Sequence, residues 1–249
     1  MRWSQVLFSQ GFGTRRECEA LLLAGRVRHA DRLIDDPDED VDTRGLEFEV
    51  EGRPWPYAES ALILLHKPAG YECSQRPGAS PGVMTLLPPP LRRRGVQSVG
   101  RLDVDTTGLL LLTDDGPLLH RLTSPKHHVP KVYEVSAKHP VSDAQVAQLL
   151  AGVVLRGEPR DDPTPVRAAA AERTGESALR LTLTEGKYHQ VKRMLAAVGN
   201  RCEALHRSAI GALALPADLP PGQWRWVDEA GRDRLGLRPG SAPSATPPA

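Results

Sequence analysis

Residues 99–116 read VGRLDVDTTGLLLLTDDG. An acidic turn around Asp103 and Asp105 lies here between an arginine and the apolar run 109–112. A short apolar run between turn residues is typical of a buried strand. A carboxylate held in such a turn can act as a nucleophile, a base or a metal ligand. The segment therefore predicts either a reaction centre or an ion site.

Two ion-site interpretations fit parts of this turn. The spacing of Asp103, Asp105 and Thr107 imitates a calcium loop, but such a loop has helices on both sides and ends in a bidentate Glu. Here a predicted strand follows, and the twelfth position is Asp114. The Asp-x-Asp-x-Thr spacing also matches the magnesium phosphotransferases of the haloacid-dehalogenase type, in which an apolar strand precedes the motif and a helix follows. Residues 97–102 are too polar for that strand, so the flanking sequence argues against both interpretations.

The full pattern of residues 100–110, Gly-Arg-Leu-Asp-x-Asp-Thr-x-Gly-Leu-Leu, resembles the catalytic motif of the pseudouridine synthases. The similarity is greatest to the branch that modifies small-subunit ribosomal RNA. Other segments follow the family motifs in order: HKPAGY at 66–71, TSPKHH at 123–128 with KVY at 131–133, EGKYHQVKRM at 185–194 and LHRxxIG at 205–211. In the first of these, His stands where the family has Asn.

The resemblance implies an isomerase that breaks the N-glycosidic bond of a uridine, turns the base and rejoins it through C5. This reaction needs no redox change or energy input, so neither a cofactor nor a metal is expected. The target uridine has to be flipped out of its stack before it can react. The expected partner is small-subunit ribosomal RNA. The chain is expected to be a monomer and to have no membrane partner.

The same resemblance assigns roles to individual residues. Asp103 is the nucleophile or base, Tyr133 stacks on the target base, and Lys192 pairs with Asp103 and keeps it ionised. Leu205 lines the base pocket, and Arg101 fixes the turn or a phosphate. Further RNA contacts are expected from Lys67, Lys126, His127, His128, Arg193 and Arg207. The main alternative, an RNA-binding assembly factor without turnover, has no need of a carboxylate facing RNA phosphates.

Length and composition set the broad class. A chain of 249 residues is long enough for two domains, and 25% charged residues with a net charge of +1 are typical of a soluble protein. No apolar run approaches the ~20 residues of a membrane span. The first residues lack the apolar core of a secretory signal. The three cysteines are far apart and lack metal-ligand spacing, so a reducing compartment, the cytoplasm, is expected.

Residues 1–58 are predicted to form a small separate domain. A Thr14-x-x-Glu17 capping box predicts a helix through Leu23 that ends at Gly25. Residues 46–51 alternate apolar and acidic side chains, which predicts a half-buried strand. The arrangement resembles the alpha-L (S4-like) RNA-binding domain, and a structural appendage is the alternative. The basic residues expected of such a domain are Arg15, Arg16, Arg26 and Arg28.

The charge of this domain is unusual for an RNA-binding domain. Residues 1–58 carry 8 Arg and no Lys against 12 Asp plus Glu, a balance of −4, so the rest of the chain carries +5. Local positive potential, not overall charge, is what a nucleic-acid enzyme needs. The proline-bearing residues 52–56 that follow predict a linker.

Residues 59–231 are predicted to form the catalytic domain. Strands are expected at 61–65 and 179–183. Helices are expected after a Ser142-x-x-Gln145 capping box and over residues 191–198, ending at Gly199. The Pro-rich segment 77–95 predicts a loop whose Arg92–Arg94 run is either solvated or in contact with phosphates.

Strands and a few helices without a regular βαβ rhythm predict an α+β fold. The resemblance further implies a mixed, largely antiparallel sheet with peripheral helices. Residues 232–249 are too poor in apolar side chains to pack and are expected to form a disordered tail.

Overall fold

The computed structural model of the protein describes residues 1–157 and 163–237. These residues separate into two compact units. The first comprises Met1–Leu62, Met84–Gln97 and Leu112–Asp115. The second comprises Ile63–Val83, Ser98–Leu111 and the described residues from Gly116 onward.

The first unit contains three helices and a small sheet. In chain order its elements are α1 (Trp3–Ser9), α2 (Arg15–Leu23), β1 (Val27–His29), β2 (Arg32–Ile34), β3 (Glu47–Val50), β4 (Arg53–Pro56) and α3 (Pro89–Arg93). The four strands form an antiparallel sheet in the order β2-β1-β3-β4.

Local sequence signals account for α2 and β3. The Thr14 hydroxyl accepts a hydrogen bond from the Glu17 N–H at 3.3 Å, and the Glu17 carboxylate accepts one from the Thr14 N–H at 2.6 Å, which confirms the predicted capping box. In β3, Phe48 and Val50 are buried while Glu47 and Glu49, which alternate with them, are exposed, and this confirms the predicted alternation.

The linker predicted at residues 52–56 is wrong. Residues 53–56 form β4, which pairs with β3 at the edge of the sheet. Pro54 and Pro56 have no N–H to donate, and an edge strand tolerates them because one of its sides has no partner strand. The core of this unit contains edge-to-face aromatic contacts, with Phe12 lying 5.1 Å from Trp55 and 5.9 Å from Phe48 between ring centroids.

A buried arginine joins the separate stretches of chain that form this unit. The Arg94 side chain is 5% exposed and pairs with Asp114 at 2.6 Å. It also donates to the side chain of Gln10 and to the carbonyl groups of Ala58 and Glu59, at 2.7 to 3.0 Å. For Arg94, both predictions for the basic run, a solvated charge and a phosphate contact, are therefore wrong. The segment 77–95 is also not a simple loop, because it contains α3.

The second unit is built on a larger sheet. Its strands are β5 (Leu62–Lys67), β6 (Gln97–Ser98), β7 (Thr107–Thr113), β8 (Lys131–Ala137), β9 (Ala170–Gly175), β10 (Ala178–Leu183), β11 (Cys202–Ile210), β12 (Leu213–Ala214) and β13 (Trp224–Trp226). Its helices are α4 (Gly116–Thr123), α5 (Asp143–Ala151), α6 (Gln190–Ala197) and α7 (Glu229–Arg234).

The described residues of these strands form one sheet in the order β13-β5-β7-β11-β8-β10-β9, with β12 beside β11 and β6 beside β7. β7 and β11 run parallel, whereas β8 pairs antiparallel with both β10 and β11. The α+β class with a mixed sheet and peripheral helices is confirmed. The buried strands at 62–67 and 107–113 contain the apolar runs that predicted them.

The capping box of α5 is also confirmed, with hydrogen bonds of 3.0 and 3.2 Å between Ser142 and Gln145.

The prediction of a disordered tail from residue 232 is wrong for residues 232–237. α7 extends to Arg234, and Leu235 is buried. The remainder of the predicted tail, 238–249, lies outside the described residues. None of the described helices is both long and apolar enough to cross a membrane.

Candidate active site

A buried lysine holds the acidic turn in place. Lys67, at the end of β5, is fully buried, and its ammonium group donates to the carbonyl oxygens of Asp103, Val104 and Thr106 at 2.9, 3.2 and 2.8 Å. A fourth bond goes to the carbonyl of Pro68 at 3.0 Å. Four carbonyl dipoles pointing at one cation compensate much of its lost hydration.

This geometry corrects the prediction that Lys67 contacts RNA. Its ammonium group has no exposed surface to offer a phosphate, and backbone oxygens already surround it. Burial lowers the pKa of Lys67, while the charges of Asp105 and Asp103 oppose that shift. Lys67 therefore positions the turn and makes no contact with substrate.

The carboxylate of Asp103 lies between a lysine and a histidine. One oxygen is 3.1 Å from the ammonium group of Lys192, and the other is 3.3 Å from Nε2 of His189. The Asp103 side chain is 28% exposed, so it remains open to a bound molecule. Lys192 also binds Asp105, at 2.6 Å. One lysine thus links both carboxylates of the turn.

The ion pair between Lys192 and Asp105 shifts the pKa values of both groups. The hydrogen bond from Lys192 lowers the pKa of Asp105 below its usual range. Burial alone would lower the pKa of Lys192, but its hydrogen bonds and charge interactions with Asp105 and Asp103 raise the pKa above its ordinary value. Lys192 is therefore a permanent cation near neutral pH and cannot serve as a base there.

The start of α6 supplies both groups that flank Asp103. His189 and Lys192 are three residues apart, a spacing that places two side chains on one face of a helix. His189 occupies the N-cap position of the helix in a left-handed backbone conformation, with φ of +48°, and its side chain makes no capping hydrogen bond. Asp105 and His189 were not among the predicted site residues. The Asp-x-Asp spacing and the three-residue interval to Lys192 were the signals that could have identified them.

Tyr133 and Leu205 lie on neighbouring strands and share one face of the sheet. Tyr133 is directly opposite Arg207, and Leu205 is opposite Val135, in the antiparallel pairing of β8 with β11. Both predicted pocket residues are 8% exposed. The hydroxyl group of Tyr133 forms no hydrogen bond with any residue that the structure describes, so it remains free for a substrate.

Arg207 is a second correction. It was predicted to contact RNA, but it is 2% exposed and its Nε donates to the carbonyl of Leu109 at 2.8 Å. Its Nη2 is buried and finds no partner among the described residues. This buried guanidinium group links β11 to β7 through its hydrogen bond to Leu109, and it does not reach a phosphate on the surface.

The remaining predicted RNA contacts lie elsewhere on the surface of this unit. Arg101 is exposed immediately before the turn. Arg193 donates to the carbonyls of Arg156 and Tyr188, both at 3.2 Å, and so braces the backbone beside α6. The other three are exposed side chains at the short helical turn after α4, namely Lys126, His127 and His128.

A small cleft of about 210 Å³ lies beside the ion-pair network. Its lining includes Asp105, Thr107, Leu205 and His206. The imidazole of His206 is hydrogen-bonded to the Thr107 hydroxyl at 2.8 Å, and burial lowers the pKa of His206. The cleft therefore has a neutral polar wall next to a charged one.

A partly exposed carboxylate fixed between a lysine and a histidine is typical of an enzyme that works by nucleophilic or general base catalysis. The described residues contain no group of three or more His, Cys, Asp or Glu side chains arranged to hold a metal ion. The site geometry thus defines a class of protein, a carboxylate-dependent enzyme.

Comparison with known proteins then identifies the family. Residues 61–197 match the model of the RNA pseudouridylate synthases. The chain is 39% identical to the RNA pseudouridine synthase YtzG of Bacillus subtilis over 92% of its own length and 95% of that protein. It is 47% identical to ribosomal small subunit pseudouridine synthase A of Salmonella typhimurium over 67% of its own length and 70% of that protein.

A crystal structure of a pseudouridylate synthase superimposes with a TM-score of 0.66 at 34% identity, covering 94% of this chain and 99% of the other. The chain therefore belongs to the RNA pseudouridylate synthase family, and the predicted isomerase class is confirmed.

Proposed function

We propose that the chain converts one specific uridine of small-subunit ribosomal RNA into pseudouridine. The observation that carries this proposal is the Asp103 carboxylate, which is 28% exposed and lies 3.1 Å from the ammonium group of Lys192. Lys67 holds the turn in place through hydrogen bonds to its backbone carbonyl groups. The likeness to ribosomal small subunit pseudouridine synthase A supports the choice of RNA. A pure RNA-binding protein would gain nothing from a carboxylate at this position, because it would repel phosphates.

Each residue of the site has a role in this proposal. The flipped uridine enters the cleft that Leu205 lines, and Tyr133, on the neighbouring strand, stacks on its base. Asp103 acts as the nucleophile or base, and Lys192 forms an ion pair with its carboxylate. The N1–C1′ bond breaks, the base turns, a C5–C1′ bond forms, and the C5 proton leaves while N1 gains one. Arg101, His127 and His128, all exposed, contact the RNA backbone.

We further propose that residues 1–58 form an alpha-L RNA-binding domain and that residues 59–231 form the catalytic domain. Four arginines of the first segment support this, because none of them forms an ion pair with a described residue: Arg15, Arg16, Arg26 and Arg28. By contrast, Arg2, Arg32 and Arg44 are paired with acidic neighbours. Four of the five arginines of this segment without an ion pair to a described residue therefore lie on α2, on β1 or directly before β1, and the fifth, Arg53, lies on β4.

The proposal also includes a monomer that works in the cytoplasm. Three free cysteines fit a reducing compartment. A single chain holds both carboxylates of the turn, their lysine and the stacking tyrosine, so the site needs no residue from a second copy.

Asp103→Asn tests the central assignment. A neutral isostere keeps the turn, so folding and RNA affinity should stay near normal, while turnover falls by about 10³-fold or more, as for loss of a catalytic nucleophile. Tritium release from C5-labelled uridine in a small-subunit transcript measures the rate. Asp105→Asn is the matched variant, because it removes the other partner of Lys192, and it should cost much less. Activity of Asp103→Asn within tenfold of the wild type would refute the assignment.

A further inference from the structure

The segment that leads into α6 presents an aromatic ring to solvent. Tyr188 is 57% exposed, in a chain in which aromatic residues make up only 4%. An aromatic side chain with this exposure contributes little to a core. Exposed rings beside a nucleic-acid site are the surfaces on which unpaired bases stack. The roles proposed above for the catalytic residues do not use this ring.

The ring is connected to the catalytic carboxylate through one intervening side chain. The Tyr188 ring is stacked on the imidazole of His189, with centroids 3.8 Å apart and planes inclined by 25°. Nε2 of that imidazole lies 3.3 Å from Asp103. One face of the tyrosine is therefore covered, and no other ring of the described chain packs against it. Its free surface begins one side chain away from the reacting group.

The backbone around Tyr188 is held in place before any RNA binds. The Lys187 N–H donates to the side chain of Gln190 at 2.8 Å, and Gln190, which is buried, in turn donates to Glu185 at 3.1 Å. On the other side, Arg193 donates to the Tyr188 carbonyl at 3.2 Å. A ring that is ordered in advance loses little conformational entropy when a base stacks on it. Such pre-organisation favours a binding role.

We propose that Tyr188 is the stacking site for the base of a nucleotide next to the target uridine. This inference rests on the proposed function, in which the target base itself stacks on Tyr133 inside the site. A neighbouring nucleotide is joined to the target by one phosphate, so its base has to be placed close to Asp103, where Tyr188 lies. Lys187, exposed beside the ring, provides a cation for that phosphate.

Substitutions at position 188 separate the ring from the hydroxyl group. Tyr188→Leu should weaken binding of a small-subunit RNA fragment by roughly 5- to 100-fold, as for loss of one stacked base. Its single-turnover rate at saturating enzyme should stay within about threefold of the wild type, because the chemistry at Asp103 is unchanged. Tyr188→Phe should bind like the wild type, since the hydroxyl forms no hydrogen bond with a described residue. The unfolding midpoints of both variants should match that of the wild type, which shows that neither substitution disturbs the fold.

An RNA series with one abasic nucleotide at a time tests which base is bound. Wild-type affinity should fall at one position flanking the target, and on that RNA Tyr188→Leu should cause no further loss. The inference is overturned if the leucine variant binds the intact RNA as tightly as the wild type. It is also overturned if the leucine penalty is the same on every abasic RNA, or if the saturating rate falls instead of the affinity.

Formation of pseudouridine by the wild type is scored separately, on the intact RNA. Product without any Tyr188 effect refutes only the stacking site. A Tyr188 effect on binding without product refutes the proposed activity and leaves an RNA-stacking site. If neither product nor a Tyr188 effect is found, both are refuted.

Discussion

Three cations near the catalytic turn differ in role because they differ in surroundings. Lys67 is fully buried and donates only to carbonyl oxygens, so it fixes the backbone. Lys192 is partly exposed and pairs with the carboxylates of Asp103 and Asp105, so it links the two acidic side chains of the turn. Arg207 is buried, and its Nη2 has no partner in the described chain, which carries a desolvation penalty of about 1–3 kcal/mol. The role of each of these three cations follows from how deeply it is buried and not from its residue type.

Tyr133 provides a test at the residue scale. Because its hydroxyl forms no hydrogen bond with a described residue, Tyr133→Phe should keep both stability and the stacking ring. Single-turnover rates should fall only severalfold for Phe but about 10- to 100-fold or more for Tyr133→Leu, as expected when stacking is lost. If Phe is as inactive as Leu, the hydroxyl has a chemical role, such as removal of the C5 proton. If both variants stay active, Tyr133 is only a core residue.

Lys131 allows a prediction about pH. Burial, and secondarily the charge of Arg207, lower its pKa to about 8, from an ordinary value of 10.5. Between these two values the unfolded chain still binds the proton that the folded chain has lost, so this group makes the protein more stable as pH rises. Below pH 8 it instead costs stability, on the order of 3 kcal/mol.

Lys131→Met keeps the aliphatic stem and removes the titrating group. Urea unfolding from pH 6 to 11 should show the variant as the more stable protein near neutrality. Its advantage should shrink between pH 8 and 10.5. Other groups that titrate in this range, such as the cysteines, cancel in the difference between the two proteins. A difference that does not change with pH would contradict the prediction.

At the scale of elements, the parallel pairing of β7 with β11 depends on one glycine. Gly108 has φ of +109°, and a Cβ atom there would lie 2.3 Å from the backbone oxygen of Arg207. Backbone atoms of a central strand cannot move aside as the end of a flexible side chain can.

Gly108→Ala should therefore destabilise the protein by at least about 2 kcal/mol, the sum of an unfavourable φ and a backbone clash. The matched control is Gly100→Ala. Gly100 has φ of +72° with no atom within 4 Å of the added Cβ, so only backbone strain remains, about 1 kcal/mol. Urea unfolding of both variants measures the difference. Equal losses would mean that the contact with β11 relaxes without cost.

At the scale of the whole molecule, charge is unevenly distributed. The first 58 residues carry a balance of −4, and three of their twelve acidic side chains pair with arginines of the same segment, as in Arg32–Glu39 and Arg44–Asp42. Exposed pairs of this kind add little stability. These pairs take up Arg2, Arg32 and Arg44, while Arg15 and Arg16 of α2 and Arg28 of β1 form no ion pair with a described residue, despite the net negative charge of the segment.

This distribution predicts a local RNA contact instead of a general attraction. Replacing Arg15 and Arg16 with Gln should weaken binding to the cognate RNA and reduce its salt slope by about one or two units, one for each phosphate that is no longer neutralised. Binding to unrelated RNA should change little. Arg44→Gln is the control, because Arg44 is already paired with Asp42. The affinities of the full chain for both RNAs, measured across a salt series, distinguish a local contact from a general attraction. Equal losses of affinity on both RNAs would show that the two arginines attract any RNA electrostatically.

Signals within a few residues of each other predicted the elements that depend on local interactions. The capping boxes at Thr14 and Ser142 predicted α2 and α5, and apolar runs predicted β5 and β7. The helix α1 has no such signal, because its N-cap is Arg2. The strand β4 contains two prolines, which normally indicate a linker. It exists because β3 offers a partner across the hairpin.

The sequence by itself determined the family, the α+β class and the chemical groups of the site, because motif spacing and local periodicity are properties of neighbouring residues. Only the tertiary structure decided which cations are buried and which stay exposed. Lys67, Arg94 and Arg207 look like surface charges in the sequence, yet all three are buried by residues far along the chain. Long-range packing sets burial, and burial sets whether a charge holds a backbone turn, an ion pair or a phosphate.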